Sequence, residues 1–255
     1  MIKFVIFFLT VFLNYKYALG RNIGETEITT EDGIEVFQEE KYYLLKKNVK
    51  ILSDNLELHG QTVKIFFEKD LYDIKGIEAN DEVNFISKEY NVKGKGNNVN
   101  INIKNQIITI YGIQSELYLE NNIMTSDGKI NVDNLGGSFF IDGPNSKLIS
   151  ENYDITGAKI NGKFETIKGK REIAGLMVED KKQLIIKTDD IVMFSKKAEF
   201  NKKKSIIELF EEVEIIRGNE IITGDYGILD TEKNSYKVKS NDSNKVKVII
   251  SNSDD

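Results

Sequence analysis

SIIELFEEVEIIRGNEIITGDYGILD, Ser205 to Asp230, is the stretch whose reading decides the fold. Ile206, Glu208 and Phe210 alternate with Ile207, Leu209 and Glu211, and Val213 and Ile215 alternate with Glu214. A Gly218-Asn219 turn then leads into Ile221-Ile222-Thr223-Gly224-Asp225. A period of two broken by turn residues reads as strand, bend, strand, turn, strand. The same phrase stands near the start of the chain, where Val49, Ile51, Leu52, Asn55, Leu58 and Gly60 fall in register with Val213, Ile215, Ile216, Asn219, Ile222 and Gly224. Ile155-Thr156-Gly157 is a third, weaker echo, so the chain repeats one strand unit.

Working outward, the middle of the chain alternates most cleanly. Val99, Ile101 and Ile103 are interleaved with Asn98, Asn100, Asn102 and Lys104, and Ile130 and Val132 with Lys129, Asn131 and Asp133. Strands of this kind have one apolar and one wet face, as in a sheet packed on one side. Turn residues recur between them: Gly94-Lys95-Gly96-Asn97, Ser126-Asp127-Gly128, Asp142-Gly143-Pro144-Asn145 and Asn161-Gly162. Pro144 is the single proline, leaving sheet edges without proline protection.

Toward the N-terminus the strand pattern begins at Gly33, with segments at Val36-Phe37, Tyr42 to Leu45, Val49 to Leu52, Leu56 to Leu58 and Val63 to Phe67. Glu35 to Lys47 is rich in helix formers, but the alternation that resumes at Val49 favours a strand pair. Arg21 to Asp32 is polar and aperiodic and reads as a flexible leader. Toward the C-terminus, Leu184 to Ile186, Ile191 to Phe194, Ala198 to Phe200, Tyr236 to Val238 and Val246 to Ile250 continue the pattern, and Ser251 to Asp255 is a polar tail.

About fifteen short strands and no convincing helix imply an all-β protein, an antiparallel meander forming one domain from 33 to 250. An open sheet would leave its apolar face in water. The expected architecture is therefore an open β-jellyroll or V-shaped sandwich folded over on itself. Inward residues then fill a core or line a groove, and periodicity alone does not separate the two.

The chain has 255 residues, 40% of them hydrophobic and 30% charged, with a net charge of -6. Its lysines are scattered among carboxylates, which argues against nucleic acid, since phosphate binding needs a basic face. The absence of cysteine excludes disulfides, thiolate nucleophiles, cysteine-ligated zinc and a lipid-modified N-terminal cysteine. Lys3, the apolar run Phe4 to Leu13 and the ending Ala18-Leu19-Gly20 read as a secretory signal cut after Gly20. The run is short of the about 20 apolar residues a bilayer span needs. An uncleaved anchor with Tyr15 and Tyr17 at the interface is the alternative.

The segment Ala198 to Asp230 resembles the repeated phrase of the OstA-like lipopolysaccharide-transport proteins, the LptA and LptC family. Glu212-Val213-Glu214-Ile215, Ile222-Thr223-Gly224-Asp225 and Leu229-Asp230 match its strand-turn pattern, as do Asn48-Val49-Lys50-Ile51 and Ile77-Glu78-Ala79 upstream. Glu211-Glu212 stands in place of a Gly-Asn, and Gly227 in place of an alanine.

The resemblance implies a periplasmic β-jellyroll whose groove carries the acyl chains of lipopolysaccharide, or lipid A, between inner and outer membranes. It also implies protomers and other bridge proteins joined edge to edge. The two roles within such a family, a soluble bridge and an inner-membrane-anchored partner, differ at Phe4 to Leu13. A secreted structural or adhesive β-protein without a lipid groove is the reading from another class. The groove candidates are Val99, Ile101, Ile103, Ile108, Ile110, Ile130, Val132, Phe139, Ile141, Ile155, Ile160 and Phe164. The edge-strand contacts expected to serve partners or a homo-oligomer are Val36, Phe37, Val246, Val248 and Ile250, with Lys245 and Lys247 as charges that would instead guard an edge. At about 0.8 kcal/mol per buried methylene, several fully enclosed acyl chains would exceed the practical limit of binding near 18 to 21 kcal/mol. A carrier must therefore cover its cargo only in part.

No catalytic or cofactor-binding site is expected. His59 is the sole histidine and no nucleophile elbow is visible. Asp189-Asp190 and Glu211-Glu212 read as solvated turn carboxylates, because adjacent residues on a strand face opposite ways and no calcium-loop motif accompanies them.

Overall fold

The computed structural model describes residues 21–69, 73–241 and 245–251. The expected signal or anchor, Met1 to Gly20, lies outside them. No helix among the described residues is long and apolar enough to cross a membrane.

Among the described residues the fold consists of twenty strands and one 3-10 turn, Lys202–Lys204. In chain order the strands are β1 (Glu27–Thr29), β2 (Ile34–Phe37), β3 (Tyr42–Leu52), β4 (Leu56–Phe67), β5 (Ile74–Ser87), β6 (Val92–Asn102), β7 (Ile107–Tyr111), β8 (Ser115–Leu119), β9 (Asn122–Ser126) and β10 (Lys129–Asp133). They continue with β11 (Ser138–Asp142), β12 (Lys147–Ile149), β13 (Asp154–Thr156), β14 (Lys159–Ile167), β15 (Lys170–Lys187), β16 (Val192–Asn201), β17 (Ile206–Arg217), β18 (Glu220–Asp230), β19 (Ser235–Lys239) and β20 (Lys247–Ile250). All pairings are antiparallel, as the alternation implies.

The pairings trace two walls. The first runs β2, β3, β4, β5, β6, β7, β10, β11, β14, β15, β16, β17, β18, β19. The second runs β1, β3, β4, β5, β6, β8, β9, β12, β13, β15, β16, β17, β18, β20. Long strands at either end of the molecule serve both walls, while the short central strands serve one each. The walls share a seam and enclose a single hydrophobic core, the V-shaped sandwich.

The seam has a local cause. In β3, β5 and β17 it is crossed at the pairs Lys47-Asn48, Asp81-Glu82 and Glu211-Glu212, all six residues at positive φ, where the ladder register shifts. An inserted pair of this kind bends a strand sharply, so one long strand faces the core from both walls. The pairs 47-48 and 211-212 are the same point of the repeated unit. In the centre, corners at Gly112–Gln114, Asp127-Gly128 and Gly143–Ser146 take the place of bulges. Buried serines satisfy the corner carbonyls: Ser115 Oγ donates to Gly112 O at 2.8 Å, Ser126 Oγ to Asp142 O at 2.9 Å and Ser146 Oγ to Gly143 O at 2.7 Å.

Three expectations differ from the structure. Strands are more numerous than about fifteen and several are long, β15 reaching 18 residues, because a bulged strand reads in sequence as two short ones. Gly94 to Asn97 and Asn161-Gly162 lie inside β6 and β14, where turns are expected. These glycines serve close packing: a Cβ on Gly94 would lie 2.7 Å from the Phe85 ring, and one on Gly162 only 2.0 Å from the Phe139 ring. Finally, the leader contributes β1 and is pinned to the β3–β4 turn, with Gly24 N donating to Asp54 Oδ2 at 2.7 Å and Arg21 paired with Asp54 at 2.6 Å. Those two donors, the Gly24 amide first, hold the Asp54 carboxyl below the usual aspartate range.

Candidate functional site

Eleven of the twelve groove candidates share the inner face of the first wall. They form two rows across neighbouring strands: Val99, Ile110, Ile130, Ile141 and Ile160, then Ile101, Ile108, Val132 and Phe139, which ends on Gly162. Ile103 and Phe164 stand beyond the rows toward the open side, partly buried, and Phe164 packs on Phe139 at 4.8 Å between ring centroids. Ile155 faces them from the second wall. Alternation finds these residues because both faces of their strands keep one environment. For the same reason the rows are packed tight: Ile108, Ile110, Ile130, Val132, Ile141 and Ile160 have no exposed surface. The centre of the sandwich is thus filled by its own side chains.

Space lies instead along the open side, where the turns of the two walls face each other. In the N-terminal half a cavity of about 150 Å³ is lined by Ile28, Ile51, Leu56, Ile65, Ile74, Tyr90, Ile101 and Ile103 among others. In the C-terminal half a cavity of about 750 Å³ opens between the turns after β8, β12 and β15 and those before β15, β17 and β19. Its floor is apolar, made of Tyr153, Ile173, Ile191, Phe200, Ile207 and Leu229. Of the candidates, Ile101 and Ile103 line the smaller cavity, and Ile155 lines an apolar crevice with Tyr153 and Phe200 below the larger.

Sequence reading misses the floor of the larger cavity. Tyr153 and Ile191 lie just before β13 and β16 and Ile173 near the start of β15, and charged neighbours break the alternation around Tyr153 and Ile173. The usable signal is a bulky apolar residue inside a polar run, as in Glu151-Asn152-Tyr153. Tyr153 packs on Phe200 with ring centroids 5.8 Å apart, and burial pushes its phenol up to about 12.

A polar clasp separates the cavities. Arg171, at the start of β15, reaches across the mouth. Its backbone N–H donates to Glu120 Oε2 at 3.0 Å, and its guanidinium donates to Tyr90 O at 3.3 Å and to Asn134 Oδ1. A second clasp closes the far end, where Asn234 Nδ2 donates to Asp190 Oδ2 at 3.3 Å, an oxygen that also accepts from Arg217 at 2.8 Å.

The strands expected as edges lie at the ends of the two walls. β2 pairs only with β3, and β20 only with β18, among the described residues. Val36 is 46% exposed, Val248 49% and Ile250 71%, while Phe37 stacks on Tyr42 at 4.6 Å and Val246 is exposed just before β20. His59 lies within β4, where it pairs with Lys50 and Asn84. Glu211 and Glu212 form the β17 bulge, Glu212 paired with Lys196 at 2.5 Å.

No protein-family model matches the chain, and no curated protein matches it in sequence. Among solved structures it is similar to LptH of Pseudomonas aeruginosa, described as the LptA-homologous periplasmic component of the conserved lipopolysaccharide transport device. The identity is 8%, the match covers 89% of this chain and 96% of that chain, and the TM-score is 0.23.

Proposed function

We propose that this chain is a periplasmic carrier that shelters the acyl chains of lipopolysaccharide on their way between inner and outer membranes, as one segment of a head-to-tail bridge. The observation that carries this reading is the cavity of about 750 Å³ with an apolar floor along the open side of the sandwich, a size typical of small-molecule sites. Because the cavity is open on one side, hydrocarbon is covered only in part, which keeps binding reversible. The strand-turn resemblance to the OstA-like proteins supports the cargo class, and the exposed apolar edges β2 and β20 support extension of the walls from one protomer or partner to the next by strand addition.

The groove residues proposed for contact with cargo are Ile101, Ile103 and Ile155 of the sequence-derived set, together with Tyr153, Phe200 and Ile207. The central rows hold the walls together. A photo-crosslinking side chain at Phe200 or Ile207 is expected to form a lipopolysaccharide adduct. The same group at Phe210, which lies under Lys197 with its ring 5.3 Å from Tyr226, is expected to form none. Adducts from no position in a folded protein would overturn the carrier reading in favour of a structural or adhesive β-protein.

A further inference from the structure

The outer face of the first wall carries a strip without charge. Read across neighbouring strands, its central row is Asn100 on β6, Thr109 on β7, Asn131 on β10, Phe140 on β11, Asn161 on β14 and Met177 on β15. The row ends on Glu78 at one side and Glu199 at the other. Its members alternate with the packed inner rows and so face outward. At about 4.8 Å per strand the six positions span about 24 Å, in a chain of which 30% is charged. The next row, toward the corner at Gly112, adds Asn80, Asn98 and Tyr111. Beyond Tyr111 that row turns to charges of alternating sign, Lys129, Asp142, Lys159 and Glu179. The strip combines amides with apolar platforms. Asn100 and Asn161 are exposed and Phe140 is half-buried, while Tyr111 is 41% and Met177 39% exposed. Asn131 Nδ2 donates to Thr109 Oγ1 at 2.8 Å, and Asn100 Nδ2 to Glu78 Oε1 at 3.4 Å. An asparagine amide has two N–H donors and a carbonyl acceptor, so these bonds leave capacity for a ligand.

We propose that this strip binds a strand of cell-wall glycan through its N-acetylated sugars. An uncharged face suits an uncharged sugar backbone. The asparagine amides can both donate to and accept from acetamido groups, and Tyr111, Phe140 and Met177 offer apolar surface to the faces of the sugar rings. The strand spacing is close to the advance of one sugar along an extended chain. The strip lies on the outside of the wall and toward its corner, away from the turn-lined mouth, so its ligand is a separate chain and not the head of a lipid held in the cavity. The inference rests on the periplasmic reading for the source of the glycan and does not use the cavity. Strand addition at β2 and β20 occupies the ends of the walls and leaves this face open to a glycan layer that a bridge between two membranes must cross.

Three soluble probes are titrated into the parent chain by calorimetry: chitohexaose, cellohexaose of the same length without acetamido groups, and an anionic oligogalacturonate hexamer. Chitohexaose is expected to bind, cellohexaose to bind about two- to tenfold more weakly for each acetamido hydrogen bond lost, and the anionic sugar to bind least. Asn100→Asp with Asn161→Asp removes N–H donors at two exposed positions and is expected to weaken chitohexaose by about tenfold or more. Lys93→Ala, exposed on the outer face of the second wall, is expected to leave it unchanged. Purified cell-wall sacculi are expected to sediment the parent, and chitohexaose to release it. The inference is overturned by any of four results: no chitohexaose binding by protein of native strand content, preference for the anionic sugar, a double variant within about twofold of the parent, or sedimentation that chitohexaose does not relieve. None of these results changes the lipopolysaccharide adducts expected at Phe200 and Ile207, while absent adducts with chitohexaose binding intact overturn the carrier reading alone.

Discussion

Replacing Gly162 by alanine tests the packing at the centre of the sandwich. Gly162 is opposite Phe139 in the β11–β14 ladder, and an added Cβ would lie 2.0 Å from two carbons of that ring. Carbon atoms pack best at about 3.5 to 4.0 Å, so the ring must retreat by about 1.5 Å. It has nowhere to go, since Phe139 is 3% exposed and the Phe164 ring stands 4.8 Å behind it. Overpacking of this kind costs about 1 to 3 kcal/mol, whereas removing glycine from a strand interior regains about 0.5 to 1 kcal/mol. The clash wins, and Gly162→Ala is expected to lose about 1 to 2 kcal/mol. At about 2 to 4 °C per kcal/mol for a chain of this size, the midpoint of thermal unfolding followed by circular dichroism falls by about 2 to 8 °C. Phe139→Leu removes the obstructing ring, so the double variant is less destabilised than the sum of the singles by at least about 1 kcal/mol. An alanine variant as stable as the parent, or an additive cycle, would refute the packing argument and restore Asn161-Gly162 as a turn.

Val132→Asp, at a position with no exposed surface, places an unpaired carboxylate between the walls and is expected to abolish the folded state, not lipid binding alone; soluble protein with native circular dichroism would contradict this. Burial holds the Tyr153 phenol neutral to about 12. A raised tyrosine pKa contributes stability that is complete below the unfolded value near 10 and is lost as pH climbs from there to about 12, amounting to about 2 to 3 kcal/mol. Denaturant midpoints of the parent are therefore expected to fall across that window more steeply than those of Tyr153→Phe, and parallel curves would count against it. Removing residues 245–255 is expected to weaken concentration-dependent self-association in light scattering, and a strict monomer with and without them would rule out strand addition at that edge.

Period-two alternation and the repeat at Val49 and Val213 were enough to read an all-β, antiparallel, folded-over sheet, because alternation is imposed strand by strand and needs no knowledge of the partner strand. The same local signal picks out eleven residues between Val99 and Phe164 that share one inner face, with Ile155 on the facing wall. It did not distinguish a turn glycine from one pressed against an aromatic ring, as at Gly94 and Gly162, since that contact comes from another strand. Nor did it show that Lys47-Asn48 and Glu211-Glu212 are bulges inside continuous strands, or that cavity space lies along the turn-lined mouth while the cleanest rows close on each other. Those features depend on where two walls, built from residues far apart in the chain, approach or diverge, and only the tertiary structure decides that distance.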